Sequence, residues 1–166
     1  RYVKIKHPNI NKKVPKNAPA FVLEFARLIK NRHGTLHGKK KKIFLSDDVY
    51  VIENISNVEF YRRRRLHKRL SEIKSNVATY TDMYWNDGTF FGKMKHYDMD
   101  LFDYLKDDRV CIATLLKTLI PCLRAIHSSG IYLQDIKPEN IFVDILPTHV
   151  QYYFADVDYA FVDHDF

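Results

Sequence analysis

The chain has 166 residues, 46% of them hydrophobic and 28% charged, a balance that excludes wholesale disorder and gives length for one domain or a small pair. No run of about 18 apolar residues occurs, which excludes a transmembrane helix, and the leading RYVKIKHPNINKK lacks a signal-peptide apolar core. The formal charge of +7 is split: residues 1–96 hold 22 Lys+Arg against 8 Asp+Glu, net +14, whereas residues 97–166 hold 5 against 12, net −7.

Residues 1–16, basic with two prolines, read as an extended arm. A helix is expected from Asn17, as N-cap, with Pro19 in its first turn, Phe21, Val22, Phe25, Leu28 and Ile29 on one face, and a stop at Gly34. The Lys39–Lys42 run reads as a solvated turn. Short strands at Ile43–Leu45 and Val49–Ile52 flank Ser46-Asp47-Asp48. A second helix is predicted over about Ser56–Ser75 with Leu66, Leu70 and Ile73 on one face. Strand-like segments Val77–Trp85 and Thr89–Met94 are joined by Asn86-Asp87-Gly88. A short helix at Asp100–Leu105 precedes the clearest long one, Arg109–Ser129, which buries Ile112, Leu115, Leu116, Leu119, Leu123 and Ile126 and ends at Gly130. Two β segments then bracket a polar loop, and Val150–Ala155 forms a third.

Two cysteines, Cys111 and Cys122, make a disulfide framework unexpected and suit a reducing compartment, cytoplasmic or nuclear, without membrane attachment. They lie eleven apart on one predicted helix, and without a second pair they read as buried thiols rather than a metal site.

The chemistry concentrates in Ile131–Asp144 and the following Phe154-Ala-Asp-Val-Asp158. Asp135, Lys137 and Asn140 stand at fixed offsets in a loop between apolar segments, and Asp156 follows the next apolar strand. A carboxylate can accept a proton from an attacking hydroxyl, and a lysine can neutralise a transferring phosphoryl group. An amide oxygen and a second carboxylate are ligands that Mg²⁺ prefers. The same four residues also suit simple loop capping.

Leu133-Gln-Asp-Ile-Lys-Pro-Glu-Asn140 resembles the catalytic loop H-R-D-x-K-P-x-N of the protein kinase superfamily, and Ala155-Asp-Val-Asp158 resembles its D-F-G element. Ala125–Gly130 matches the usual approach to that loop, and Met94–Leu105 is similar to the hinge and the short helix after it. The resemblance covers about residues 89–162. It implies an α+β, two-lobed kinase-like fold. A basic arm (1–16) would precede a small β-rich lobe with one main helix (17–95) and a partial, mainly helical lobe (96–166). By resemblance Asp135 is the catalytic base and Lys137 steadies the transferred phosphate, while Asn140 and Asp156 hold Mg²⁺ for ATP-dependent transfer to protein Ser or Thr. Ser/Thr is preferred over Tyr because Lys137 lies two residues after Asp135. The Lys-, Asn-, Ile- and Tyr-rich texture is similar to that of divergent kinases of large DNA viruses.

Departures from the family pattern define the alternative, a pseudokinase that regulates or scaffolds without catalysis. Gln134 replaces the Arg that answers activation-loop phosphorylation, Leu133 replaces His, Val157 replaces Phe and Asp158 replaces Gly. Val157 and Leu133 remain apolar and able to pack as a spine; Asp158 gives up glycine's freedom at positive φ. No G-x-G-x-x-G occurs, and Gly34 and Gly38 follow a helix rather than open a hairpin. Glu59 is the candidate for the helical Glu of the family's ATP-site ion pair, with capping of the first helical turn as the other reading. The lysine partner is not identifiable: Glu53 ends the strand where the family places Lys, and Lys40–Lys42 read as solvated.

Arg62, Arg63, Arg64 and Arg65 span all sides of a helix, so some must point inward or toward a partner, and a nucleic-acid interface is a third reading. The resemblance further implies that the C-terminal lobe is incomplete at Phe166. The sequence is then expected to be a fragment or to lack residues, or a protein partner completes or regulates the fold.

Overall fold

In the computed structural model, which describes all residues except 74–75, 107–109 and 164–166, the basic first residues are a hairpin rather than an arm. Strands β1 (Tyr2–His7) and β2 (Ile10–Pro15) pair antiparallel, with Val3 opposite Val14 and Ile5 opposite Lys12. Ile5, Ile10 and Val14 are buried on one face, while Lys4, Lys6 and Lys13 stay exposed on the other. Helix α1 (Ala20–Lys30) starts after Pro19, not at Asn17. Asn17 is consumed in the turn that Ala18 N–H closes on Pro15 O, and the Pro19 carbonyl accepts from Val22 N–H. The helix ends before Gly34, at Asn31, and Arg32 takes the left-handed φ of 55°.

Phe25 of α1 stacks on Tyr50 with ring centroids 5.5 Å apart and meets Phe44 and Phe91 edge-on. Those rings belong to a five-stranded antiparallel sheet of β3 (Thr35–His37), β4 (Lys42–Leu45), β5 (Asp48–Asn54), β6 (Asp82–Asn86) and β7 (Thr89–Lys95), in spatial order β3-β4-β5-β7-β6. The lysine run begins as a turn: Gly38, at φ 86°, and Lys39–Lys41 connect β3 to β4, so Gly38 does stand in a hairpin, contrary to expectation. Asp87 and Gly88, with φ of 46° and 77°, close the β6–β7 hairpin in the two-residue, doubly left-handed form that matches strand twist. In β7, Gly92 leaves room for the Tyr80 ring, which lies 2.7 Å from where a Cβ would stand.

Strand β5 is buried on both faces. Tyr50 and Ile52 face α1, and Val49 and Val51 join Phe60, Tyr80 and Phe90 on the other side. Glu53 shares that second face and is buried against Arg63 of α2 (Asn57–Glu72) at 2.9 Å, both side chains at most 1% exposed. The Arg63 guanidinium also lies 4.7 Å over the Phe90 ring. The expected end of α2 at Ser75 lies outside the described residues.

The chain divides into two compact units. One comprises Arg1–Arg64 and Tyr80–His96, and the other Arg65–Thr79 and Tyr97–Phe166. In the second unit, β8 (Met99–Asp100) leads into α3 (Leu101–Tyr104), where Asp100 caps the Asp103 N–H at 2.8 Å. Helix α4 (Ile112–Ser128) buries Leu115, Leu119, Cys122 and Ile126, and Gly130 follows it at φ 82°. Its expected start at Arg109 lies outside the described residues. Ile112 and Leu116, expected to be buried, are 53% and 48% exposed, because nothing among the described residues covers that side. Then come β9 (Ile131–Tyr132), β10 (Ile141–Ile145), β11 (Val150–Phe154) and β12 (Phe161–Val162), forming the sheets β11-β10-β8 and β12-β9. Leu66, Leu70, Leu101, Ile126, Ile131, Val143, Tyr152 and Phe154 make one core with these helices. Among the described residues no helix is long and apolar enough to cross a membrane.

Two outcomes test this packing. Removing one member of the buried pair leaves the other charge without compensation, so Arg63→Ala or Glu53→Ala should each lower unfolding free energy by about 3–5 kcal/mol in urea titrations. The two thiols differ, correcting the expectation that both are buried. Cys111 is exposed at the start of α4, whereas Cys122 is buried with its Sγ on Asn76 O at 3.5 Å. Thr114 hydrogen-bonds to the Cys111 thiolate and holds that thiol below its ordinary pKa. Iodoacetamide at neutral pH should label Cys111 in the native protein and Cys122 only after denaturation, as peptide mass spectrometry would read.

Candidate functional site

The β-branched and aromatic runs Ile-Phe-Val and Val-Gln-Tyr-Tyr-Phe favour the two long strands of the second unit, and their register starts at Ile141 opposite Phe154. Asn140, just before the first strand, therefore emerges beside Ala155 and Asp156, just after the second. The Ala155 N–H donates to Asn140 O at 2.9 Å and ties the two exits together. Pro138–Asn140 is a single 3-10 turn, closed by Asn140 N–H to Lys137 O at 2.9 Å. From that turn the Asn140 amide reaches back. Its Nδ2 donates to the Asp135 backbone O at 3.0 Å and to Asp135 Oδ2 at 2.9 Å.

Asp135, Asn140 and Asp156 thus line one cleft of ≈ 190 Å³, together with Leu133, Gln134, Phe154 and Val157. Asp135 and Asp156 are exposed, and the Lys137 ammonium lies 3.4 Å from Asp135 Oδ2 with both side chains half exposed or more. A pair so wetted contributes little stability, and it sets a cation beside one of the carboxylates that line the cleft. Asp156 takes the left-handed φ of 54°, whereas Asp158, expected to feel the loss of glycine's freedom, is outside the positive-φ region. Asn and Asp are among the few side chains that enter that region readily.

The donor chemistry fits a hard cation bound partly through a ligand. Asn140 spends its N–H₂ on Asp135, which leaves its carbonyl oxygen for a metal, and the Asp156 carboxylate lies in the same cleft. Among the described residues no three His, Cys, Asp or Glu side chains converge. An all-protein metal cage is therefore absent among them, but Mg²⁺ is held by one or two carboxylates with waters and phosphate oxygens completing its shell.

Leu133 is half buried against the second unit's core and Val157 is buried in it, so both replacements pack as apolar residues. Glu59 sits in the first turn of α2, where Ser56 Oγ accepts its N–H at 3.1 Å, and its carboxylate takes a two-pronged bond from Arg62 at 2.8 and 2.9 Å. Arg63 approaches it at 3.9 Å. The four consecutive arginines separate: Arg62 to Glu59, Arg63 inward to Glu53, and Arg64 and Arg65 exposed. Lys42 donates to Asn9 O.

Two polar pairs were not anticipated. One is Glu53–Arg63; the other is a hydrogen bond from His67 Nε2 to Asp158 Oδ1 at 2.5 Å, both residues buried. The sequence signal is weak: Glu53 follows the apolar run Val49–Ile52 and Asp158 stands between Val157 and Tyr159, which invites a buried partner without saying which.

No protein-family model matches the chain. It is similar to the serine/threonine-protein kinase VHS1 of Saccharomyces cerevisiae (strain ATCC 204508 / S288c), with 28% identity over 145 residues. That alignment covers 81% of this chain and 30% of the yeast protein, so the chain matches under a third of that relative's length. A yeast relative lends no support to the viral texture.

Proposed function

We propose that the chain carries the phosphoryl-transfer site of a protein Ser/Thr kinase of the two-lobed type, using ATP and Mg²⁺. The observation that carries this reading is the cleft itself: Asp135, Asn140 and Asp156, drawn from two loops twenty-one residues apart at their extremes, face one space. The yeast similarity agrees with it. Asp135 is the group that accepts the substrate hydroxyl proton; its carboxylate is exposed to an incoming hydroxyl and held in place by Asn140 Nδ2. Lys137, within 3.4 Å of that carboxylate, is placed to neutralise the phosphoryl group in flight. Bound Mg²⁺ would neutralise charge on the nucleotide phosphates, with Asn140 Oδ1 and Asp156 as its protein ligands. Protein substrates are then the partners, and an intracellular compartment the setting.

A second reading, a pseudokinase with a regulatory or scaffolding role, is favoured by one observation. In kinases a strand Lys pairs with a helical Glu beside the phosphates; here the strand supplies Glu53 and the helix supplies Arg63. The polarity is reversed, and no cation stands at that strand position. The exposed Arg64 and Arg65 remain the basis for a nucleic-acid reading.

The test is phosphotransfer from radiolabelled ATP to a mixed Ser/Thr peptide library, with Asp135→Asn as comparison. Catalysis predicts a fall of about 10²–10⁴-fold in kcat with the Mg²⁺-ATP thermal shift retained. Equal rates would remove the assignment of Asp135, and a thermal shift without any transfer would favour the pseudokinase.

A further inference from the structure

Residue 158 is a carboxylate in a place where burial makes a carboxylate costly. Asp158 is 1% exposed, and its carboxylate meets His67 Nε2 at 2.5 Å, from a helix 91 residues earlier in the chain. An apolar residue would fill such a site with no desolvation penalty, and replacing buried polar pairs by apolar ones is often neutral or stabilising. What an apolar residue cannot supply is direction.

The segment around it shows what the direction accomplishes. On one side of Asp156, Ala155 N–H is bonded to Asn140 O at 2.9 Å; on the other, Val157 is buried in the core beside Leu66 and Leu70. The Val157 carbonyl then accepts Ala160 N–H at 3.0 Å, and Asp158 is clamped by His67. Within 155–158 Asp156 alone is exposed, and it takes a left-handed φ of 54°, a region that Asp enters more readily than most residues.

We propose that His67 and Asp158 are positioning residues: their hydrogen bond holds the 155–158 loop so that the Asp156 carboxylate stays aimed into the cleft shared with Asp135 and Asn140. The inference rests on the reading of that cleft as a metal–phosphate site. It makes the loop a fixed element, set by α2, rather than one that must be ordered before use.

The experiment uses the full chain and Mn²⁺ with ADP as probe. Titration calorimetry measures Mn²⁺ affinity, and hydrogen exchange measures protection of amides 155–160. Asp158→Ala should weaken Mn²⁺ by about tenfold or more, as loss of an outer-shell partner does, and speed exchange at 155–160. Asp158→Asn, which still accepts from His67, should restore most of both. Leu119→Ala, a destabilising change in the same core but on α4, should leave Mn²⁺ affinity within about twofold. If Asp158→Ala does not fold, His67→Gln, which keeps a donor, is compared with His67→Leu, which keeps bulk alone; only the latter should lose affinity and protection. Unchanged Mn²⁺ affinity in Asp158→Ala and His67→Leu, while Asp156→Asn abolishes it, would overturn the positioning role and spare the metal-site reading. Should Asp156→Asn also leave affinity unchanged, both fall together.

Discussion

The antiparallel register of Ile141 with Phe154 is the constraint on which the candidate site depends. Side chains in a strand alternate with period two, so a slip of one residue would exchange the inner and outer faces of one strand relative to the other. Val143 and Tyr152, opposite one another and buried in the core, could then no longer both face it. The apolar core therefore enforces the register, and the register brings the residue before one strand to the residues after the other. Asn140, Ala155 and Asp156 become neighbours with no loop chemistry of their own. The single backbone bond from Ala155 to Asn140 completes what the hairpin begins.

A second layer of control comes from polar groups placed where apolar ones would serve packing equally well. Helix α2 turns Arg63 and His67, one helical turn apart, into two different buried environments. Arg63 meets a strand carboxylate and an aromatic face; His67 meets the carboxylate that follows the cleft's Asp156. Each contact is directional, so each fixes a rotation of the helix about its own axis as apolar packing alone does not. The burial of an arginine and a histidine also explains why α2 is weakly amphipathic by composition yet firmly packed.

The same fact shows why the sequence was legible in some places and opaque in others. The turn at Asp87-Gly88, the helical face of α1 from Val22 to Ile29 and the short strands flanking Asp47 could be read because each rests on one residue type doing its ordinary job. The first hairpin was hidden because its buried face holds only Ile5, Ile10 and Val14 between lysines, too sparse to display alternation. On α2 the expected face of Leu66 and Leu70 is buried, but the buried row also takes in Phe60, Arg63 and His67, and a buried Arg or His gives no apolar signal in the sequence. Asp135, Asn140 and Asp156 were recognisable from their offsets around two apolar strands, since hairpin geometry converts such offsets into proximity. The partners of Glu53 and Asp158 were not, because a contact across tens of residues leaves no local periodicity behind.

The buried Glu53–Arg63 pair carries a consequence for how this chain can change over generations. Reversing its polarity to a strand cation and a helical acid takes two substitutions, and either one alone puts two like charges together in a dry interior. Both intermediates are worse than either end state, so the two orientations are separated by a fitness valley rather than a slope. Each position's tolerance is set by the residue at the other, a strong form of epistasis. A lineage holding one polarity will keep it through long drift at surrounding positions. The orientation of a single ion pair is then a slowly changing character, better suited to sorting descent than the freely varying lysines around it.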